Sequence, residues 1–192
     1  MEELDMNQQR KLQLEQARDH SECLMFPVLN DFQIIDDESD PHNILLARTA
    51  DRSFMLQVVT DGCLREGETF EQRTHLIVHN TLAFMKNTPS FDQTSDIFYL
   101  KDLDTAEGFN FKIYVQDMIV DNNGEKLALR QFSGFFLEPR HNDIYQVSLS
   151  FGPVSYPTNI YTIGKFDIVN DNVSATILGM LEVILNNIKY RY

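Results

Sequence analysis

Two long runs of alternating apolar and polar residues, joined by a short turn, constrain this chain more than any other feature. Phe109, Phe111, Ile113 and Val115 alternate with Asn110, Lys112 and Tyr114, and the run continues to Val120. Asp121-Asn122-Asn123-Gly124 follows, and Asn-Gly suits the positive φ angles of a type I′ hairpin turn. Residues 126–137 then return as a second strand, in which Gly134 marks the position expected for a bulge. After a turn at 138–143 comes a third strand, 144–151, with Tyr145, Val147, Leu149 and Phe151 on one face and Gln146, Ser148 and Ser150 on the other. A period of two with one apolar face predicts an antiparallel meander, buried on one side and wet or paired on the other.

The flanking segments supply helices and a second strand pair. Residues 43–47 and 53–60 read as strands with a hairpin loop at 49–52, and 36–41 and 61–68 as loops. Thr69 followed three residues later by Gln72 fits a capping box, so a helix is expected from there to just before Pro89. Its stripe is Phe70, Ile77, Val78, Thr81, Phe84 and Met85. Residues 160–168 read as a short extra strand. A closing helix starts near Asp171 or Ser174 and carries Val173, Ile177, Leu181, Ile184 and Ile188, a stripe broad enough to cover a sheet. Residues 1–23, rich in Glu, Gln, Lys and Arg, read as an exposed N-terminal helix or tail, and residues 24–192 as one domain. The fold class is therefore α+β: an antiparallel sheet with helices packed on its faces, plus the N-terminal helix.

At 192 residues one substantial domain is expected, and 14 Phe with 7 Tyr supply its core. The 29 acidic and 16 basic residues give a net charge of −13. Such a field repels phosphate backbones and anionic lipid, so neither nucleic acid nor membrane is expected as a partner. Its uses are solubility or attraction to a basic protein. Two cysteines in no recognisable spacing and a charged first stretch without an apolar core point to a cytoplasmic protein without disulfides.

Four groups of residues could carry chemistry. His75 and His79 are four apart on one predicted helix face, a spacing that can hold a transition metal, with Asp61, Cys63 or Glu71 as the third ligand. The Glu that a zinc protease places after its first His is absent, and structural histidines are the preferred reading. His20 and Cys23 are three apart, but Asp19 and Glu22 surround them with the wrong charge for a nucleophilic thiol. Glu138, His141 and Asp143 surround Arg140 in a turn, where they could bind a metal or pass protons, although polar turns commonly look like this. Asp36, Asp37, Glu38 and Asp40 form an acidic run without the central glycine of a calcium loop. With no phosphate loop, nucleophile elbow or Cys-x-x-Cys, no enzyme activity and no cofactor are expected.

The order of these elements resembles the PsbP-like group of α/β/α sandwiches, which includes the Ran-binding nucleotide-release factor and bacterial secretion-associated chaperones. The strand pair ending at Asp61, the helix after Thr69, the hairpin at Asn123-Gly124, the strand at 144–151 and the closing helix carry it. The resemblance implies protein binding rather than catalysis, and transfers no functional residue. The function expected first is a non-enzymatic acidic protein-binding module, such as a secretion chaperone or a toxin-neutralising immunity protein. Its partner surfaces would be Asp36, Asp37 and Glu38 on the acidic loop and Gln146, Ser148 and Ser150 on the open sheet face. The alternatives are an anionic inhibitor that mimics nucleic acid, and a metal protein or enzyme using His75 and His79. The partner is another protein, and a homodimer is compatible with the sequence.

Overall fold

A computed structural model describes residues 12–15, 23–35, 42–94 and 96–191. The long hairpin forms as its sequence predicts. Strand β8 (Asn110–Asn122) turns at Asn123 and Gly124 into β9 (Glu125–Glu138), and these two residues have φ angles of 56° and 90°. The Asp121 carboxylate accepts from the Gly124 N–H at 2.7 Å and closes the turn. β10 (Asp143–Ser155) pairs antiparallel with β9 and, on its other edge, with β5 (Phe54–Cys63). β5 pairs with β4 (Asn43–Thr49), and β4 with β3 (Phe32–Ile34). At the far edge β6 (Phe91–Thr94) and β7 (Phe98–Asp104) both pair with β8, giving an eight-stranded sheet. A three-stranded antiparallel sheet is built from β1 (Leu12–Glu15), β2 (Leu24–Leu29) and β11 (Lys189–Tyr190).

Helix α2 (Asn172–Leu185) and strand β2 cover one face of the large sheet, and the core lies between them. Ile177, Leu181, Ile184, Leu185 and Ile188 are completely buried against Phe111, Phe132, Phe136, Val147 and Leu149. Phe136 stacks on Tyr145 at 5.3 Å, and Tyr145 in turn meets Phe26 of β2 at 5.8 Å. Gly134 is not a bulge; it stays in register between Val147 and Ile113. A Cβ there would stand 2.8 Å from a Leu185 methyl, so the glycine lets α2 approach the sheet. The irregular positions on β10 lie instead between Ile144 and Tyr145 and between Phe151 and Val154.

Helix α1 (Phe70–Asn87) lies on the opposite face. Its capping box is as expected, with Thr69 Oγ1 accepting from the Gln72 N–H and the Gln72 side chain accepting from the Thr69 N–H. The expected stripe is less buried than its spacing suggests. Of 18 residues only Thr74 and Met85 are buried, and Phe84 is 65% exposed.

Three expectations need correction. Leu12–Glu15 is a strand paired with β2 from Leu12↔Leu29 to Glu15↔Phe26, not part of a helix; the remainder of 1–22 lies outside the described residues. Residues 160–168 make no strand, because their backbone groups bond to side chains instead of a neighbouring strand. Arg130 donates to the carbonyls of Thr162 and Lys165, at 2.9 and 3.1 Å, and the Gly164 N–H donates to Asp117 at 2.7 Å. Finally, the expected loop at 61–68 starts later, since β5 runs on to Cys63 opposite Asp143.

Arg130 is the largest completely buried side chain, and every N–H of its guanidinium is engaged. It forms a two-pronged pair with Asp117, directly opposite on β8, with both bonds at 2.7 Å. It also donates to Ser174 at 2.8 Å and to Asp171, the residue that caps α2. The rings of Tyr161 and Phe166 lie 4.2 and 4.8 Å from the guanidinium carbon.

The packing of α2 gives a direct test. Leu181→Ala should cost about 2–5 kcal/mol, as truncation of a buried Leu does. Glu182, whose partner Lys101 is 42% exposed, should lose no more than about 1 kcal/mol on change to Ala. Urea denaturation of the two variants reads both values, and equal losses would contradict the packing.

Candidate functional site

A groove of about 620 Å³ opens where the N-terminal end of α2 meets the turns at 30–31 and 50–53. Its floor is apolar: Phe54 and Phe151, neighbours across β5 and β10 with ring centres 5.3 Å apart, together with Val173. Asp31 and Asp51 stand on its rim, and no Lys, Arg or His is among the described residues lining it. Asp51 is held as a fixed anion. The Ser53 hydroxyl donates to it at 2.6 Å, Thr49 at 2.6 Å and the Ser53 N–H at 3.0 Å, and these bonds lower its carboxyl to about 2. On the opposite wall, the first N–H groups of α2 are not open to an anion. The Asp171 carboxylate accepts from the N–H groups of Val173 and Ser174 at 3.0 and 3.2 Å. The groove therefore combines an apolar floor with negative charge on its margins.

The groove is tied to the buried arginine. Phe151 meets Tyr161 at 6.3 Å, and Tyr161 lies under the guanidinium of Arg130. Arg130 holds Asp171, immediately before the Asn172, Val173 and Thr176 wall. No sequence pattern signals this site, because its walls come from segments more than a hundred residues apart.

The sheet face bearing Gln146, Ser148 and Ser150 is not open as expected. Helix α1 lies over part of it, near Ser133 and Gln146, and Ser148 and Ser150 are 6% and 4% exposed with Gln146 half-buried. The side chains bond to one another: Gln146 donates to Ser148 and Ser133 at 2.9 and 3.1 Å, and the two serine hydroxyls are 2.8 Å apart. Ser150 donates to the Met55 carbonyl at 3.4 Å. A cavity of about 30 Å³ remains between this face and Val78 and Thr81 of α1, roughly the space of one water molecule. Asp36, Asp37 and Glu38, the other expected partner surface, lie outside the described residues.

At the turn from β9 to β10, Glu138 is completely buried and accepts four hydrogen bonds. The N–H groups of Arg140 and His141 donate at 2.9 and 2.8 Å, His141 Nδ1 at 2.9 Å, and the Tyr190 hydroxyl at 3.2 Å. Burial opposes ionisation, but these bonds outweigh it and hold the carboxyl below its usual range. Cys23, at the start of β2, brings its Sγ to 3.7 Å from the same His141 nitrogen. The turn cluster noted in the sequence is thus completed by a cysteine 118 residues away, which sequence proximity had paired with His20. Asp143 turns instead to Cys63, whose thiol donates to it at 2.7 Å and is pushed up by that bond.

His75 and His79 are both exposed on α1. Among the described residues, the ligand atoms of Asp61, Cys63 and Glu71 do not gather with them, and only Cys23, Glu138 and His141 converge within 4.8 Å. No helix of the described residues is long and apolar enough to cross a membrane.

No family model matches the chain, and no curated protein matches it. Among solved structures it is similar to LpqN, described as involved in cell envelope biogenesis of Mycobacterium tuberculosis. The identity is 14% and the TM-score 0.39, over 88% of this chain and 83% of that one. So distant a likeness defines neither family nor function.

One carboxyl is strongly perturbed away from the groove. Burial pushes Asp61 up from 3.8 to about 6, against the opposing pull of Arg73, and its Oδ2 is buried without a hydrogen-bond partner. A carboxyl that holds its proton more tightly folded than unfolded adds stability below about pH 4, and this is lost as the pH rises through about 6. Asp61→Asn keeps a neutral group at every pH. It should therefore gain on the wild type between pH 4 and 7, reaching about 2–3 kcal/mol at pH 7. Thermal or urea melts across that range measure the gap, and a constant gap would contradict the assignment.

Proposed function

We propose that this protein is a non-enzymatic protein-binding module that takes a basic, partly apolar segment of its partner in the groove beside α2. The observation that carries this reading is the pairing of the Phe54–Phe151 floor with the fixed carboxylate of Asp51. An apolar anchor desolvated in such a groove supplies affinity, while the rim and the net charge of −13 select and steer a cationic flank. The capped end of α2 agrees with that choice, since an uncapped helix start would favour an anion. The acidic run at Asp36, Asp37 and Glu38 follows β3 in the chain and contributes to that net charge. A secretion chaperone or an immunity protein fits this description, the first guarding an exported basic segment and the second masking a cationic toxin surface.

Synthetic peptides test the reading before any native partner is known. Peptides joining one aromatic residue to flanking Lys or Arg should bind in fluorescence anisotropy, with acidic and aromatic-free versions as controls. Raising the salt should weaken binding. Asp51→Asn should weaken it about threefold to tenfold, as loss of a rim charge does. Thr176→Arg, which places bulk and positive charge in the groove, should abolish it. Equal binding of the acidic control, or indifference to both substitutions, would contradict the proposal.

A further inference from the structure

We infer that Cys23, Glu138 and His141 form a binding site for a zinc-like divalent transition-metal ion, separate from the groove and independent of its reading. Their ligand atoms converge within 4.8 Å of one another, although they come from β2 and from the β9–β10 turn. Thiolate, imidazole and carboxylate together are a donor set that zinc accepts, with a fourth position left to water or another ligand.

One of the two separations to His141 Nδ1 already matches that geometry. Zinc bonds of about 2.3 Å to sulfur and 2.0–2.2 Å to nitrogen and oxygen, at tetrahedral angles, place sulfur about 3.6 Å from nitrogen and nitrogen about 3.4 Å from oxygen. Cys23 Sγ is 3.7 Å from His141 Nδ1. His141 Nδ1 is 2.9 Å from Glu138 Oε2, a separation set by the hydrogen bond between them. A metal that replaces this proton needs the pair to open by roughly half an ångström. His141 is the group free to move, with its side chain 48% exposed. Glu138 is held in place by two backbone N–H groups and the Tyr190 hydroxyl, which orient the carboxylate as outer-shell partners of metal ligands do.

The same arrangement argues against a nucleophilic thiol. A Cys–His–carboxylate relay uses both ring nitrogens, one toward the sulfur and one toward the acid. Here Nδ1 faces both Glu138 and Cys23. Converging on one point is what a metal requires. The nearby cation, Arg140, stacks on the Tyr190 ring at 3.7 Å and opposes part of the attraction, but the thiolate and carboxylate bring two negative charges. On binding, the thiol proton leaves as the sulfur ligates. A neutral ring carries a single proton, which moves from Nδ1 to Nε2 so that Nδ1 can ligate, and the thiol proton is the one released. Metal uptake is therefore coupled to proton release and weakens as the pH falls.

Titration of the reduced full-length protein with zinc against a chromophoric chelator, and with cobalt(II) alone, tests the site. One equivalent should bind. The cobalt complex should show a near-ultraviolet thiolate-to-metal charge-transfer band. Cys23→Ser should abolish that band, and His141→Ala should weaken zinc binding at least tenfold, with circular dichroism confirming that both variants fold. Cys63→Ser and the double variant His75→Ala, His79→Ala should leave band and affinity unchanged. Failure to bind one equivalent, a band that survives Cys23→Ser, or loss of binding in the His75–His79 variant would each overturn the inference.

Discussion

The structure depends most on the ion pair between Arg130 and Asp117, buried side by side on the adjacent strands β9 and β8. Removing two charges from water costs several kcal/mol each, and such a pair is stable only when every remaining donor and acceptor is met. Here the donors are met by Asp117, Asp171, Ser174 and two loop carbonyls. The pair therefore does more than stabilise a hairpin. It gathers the loop before α2 and the cap of α2 around one guanidinium, and so sets where that helix begins. The start of α2 is one wall of the groove, and the Phe151–Tyr161 contact ties the floor to the same centre.

The two faces of the sheet are held with unequal strength. On one, α2 sinks its apolar stripe into an aromatic core, helped by the missing side chain at Gly134. On the other, α1 rests on serines and glutamines with few buried side chains of its own. Resistance to opening follows buried apolar area, so local opening is expected first at α1 and last around α2. The groove and the Cys23–Glu138–His141 cluster both sit beside elements of the firmly held side.

The sequence was legible where local chemistry decides the outcome. Asn123-Gly124, the Thr69–Gln72 capping box and the Ile177–Leu181–Ile184 stripe each predict an element that is present. It failed where distant groups override local pattern. Residues 160–168 read as a short extra strand, but backbone groups there are taken by Arg130 and Asp117. Gly134 reads as a bulge because Leu185, which fixes its role, is fifty-one residues away. The alternation of Gln146, Ser148 and Ser150 separates the two sheet faces correctly but does not show that α1 covers part of the polar one. The edge strands β6 and β7 carry too little regular alternation to stand out. Neither the groove nor the convergence of Cys23 on His141 could be read, since each joins segments about a hundred residues apart.

Hydrogen exchange on a double variant, Arg130→Met with Asp117→Leu, tests the organising role of the ion pair most directly. Apolar residues of similar size keep the core filled and remove both members of the buried pair, while Asp171 loses its cation but keeps its bonds to Val173 and Ser174, so the sheet should still fold. The account predicts that amides of residues 160–175 exchange at least about tenfold faster than in the wild type, while those of β5, β9 and β10 keep their protection. Unchanged protection at 160–175, or a uniform loss over the whole chain, would contradict a pair that organises the loop and the start of α2.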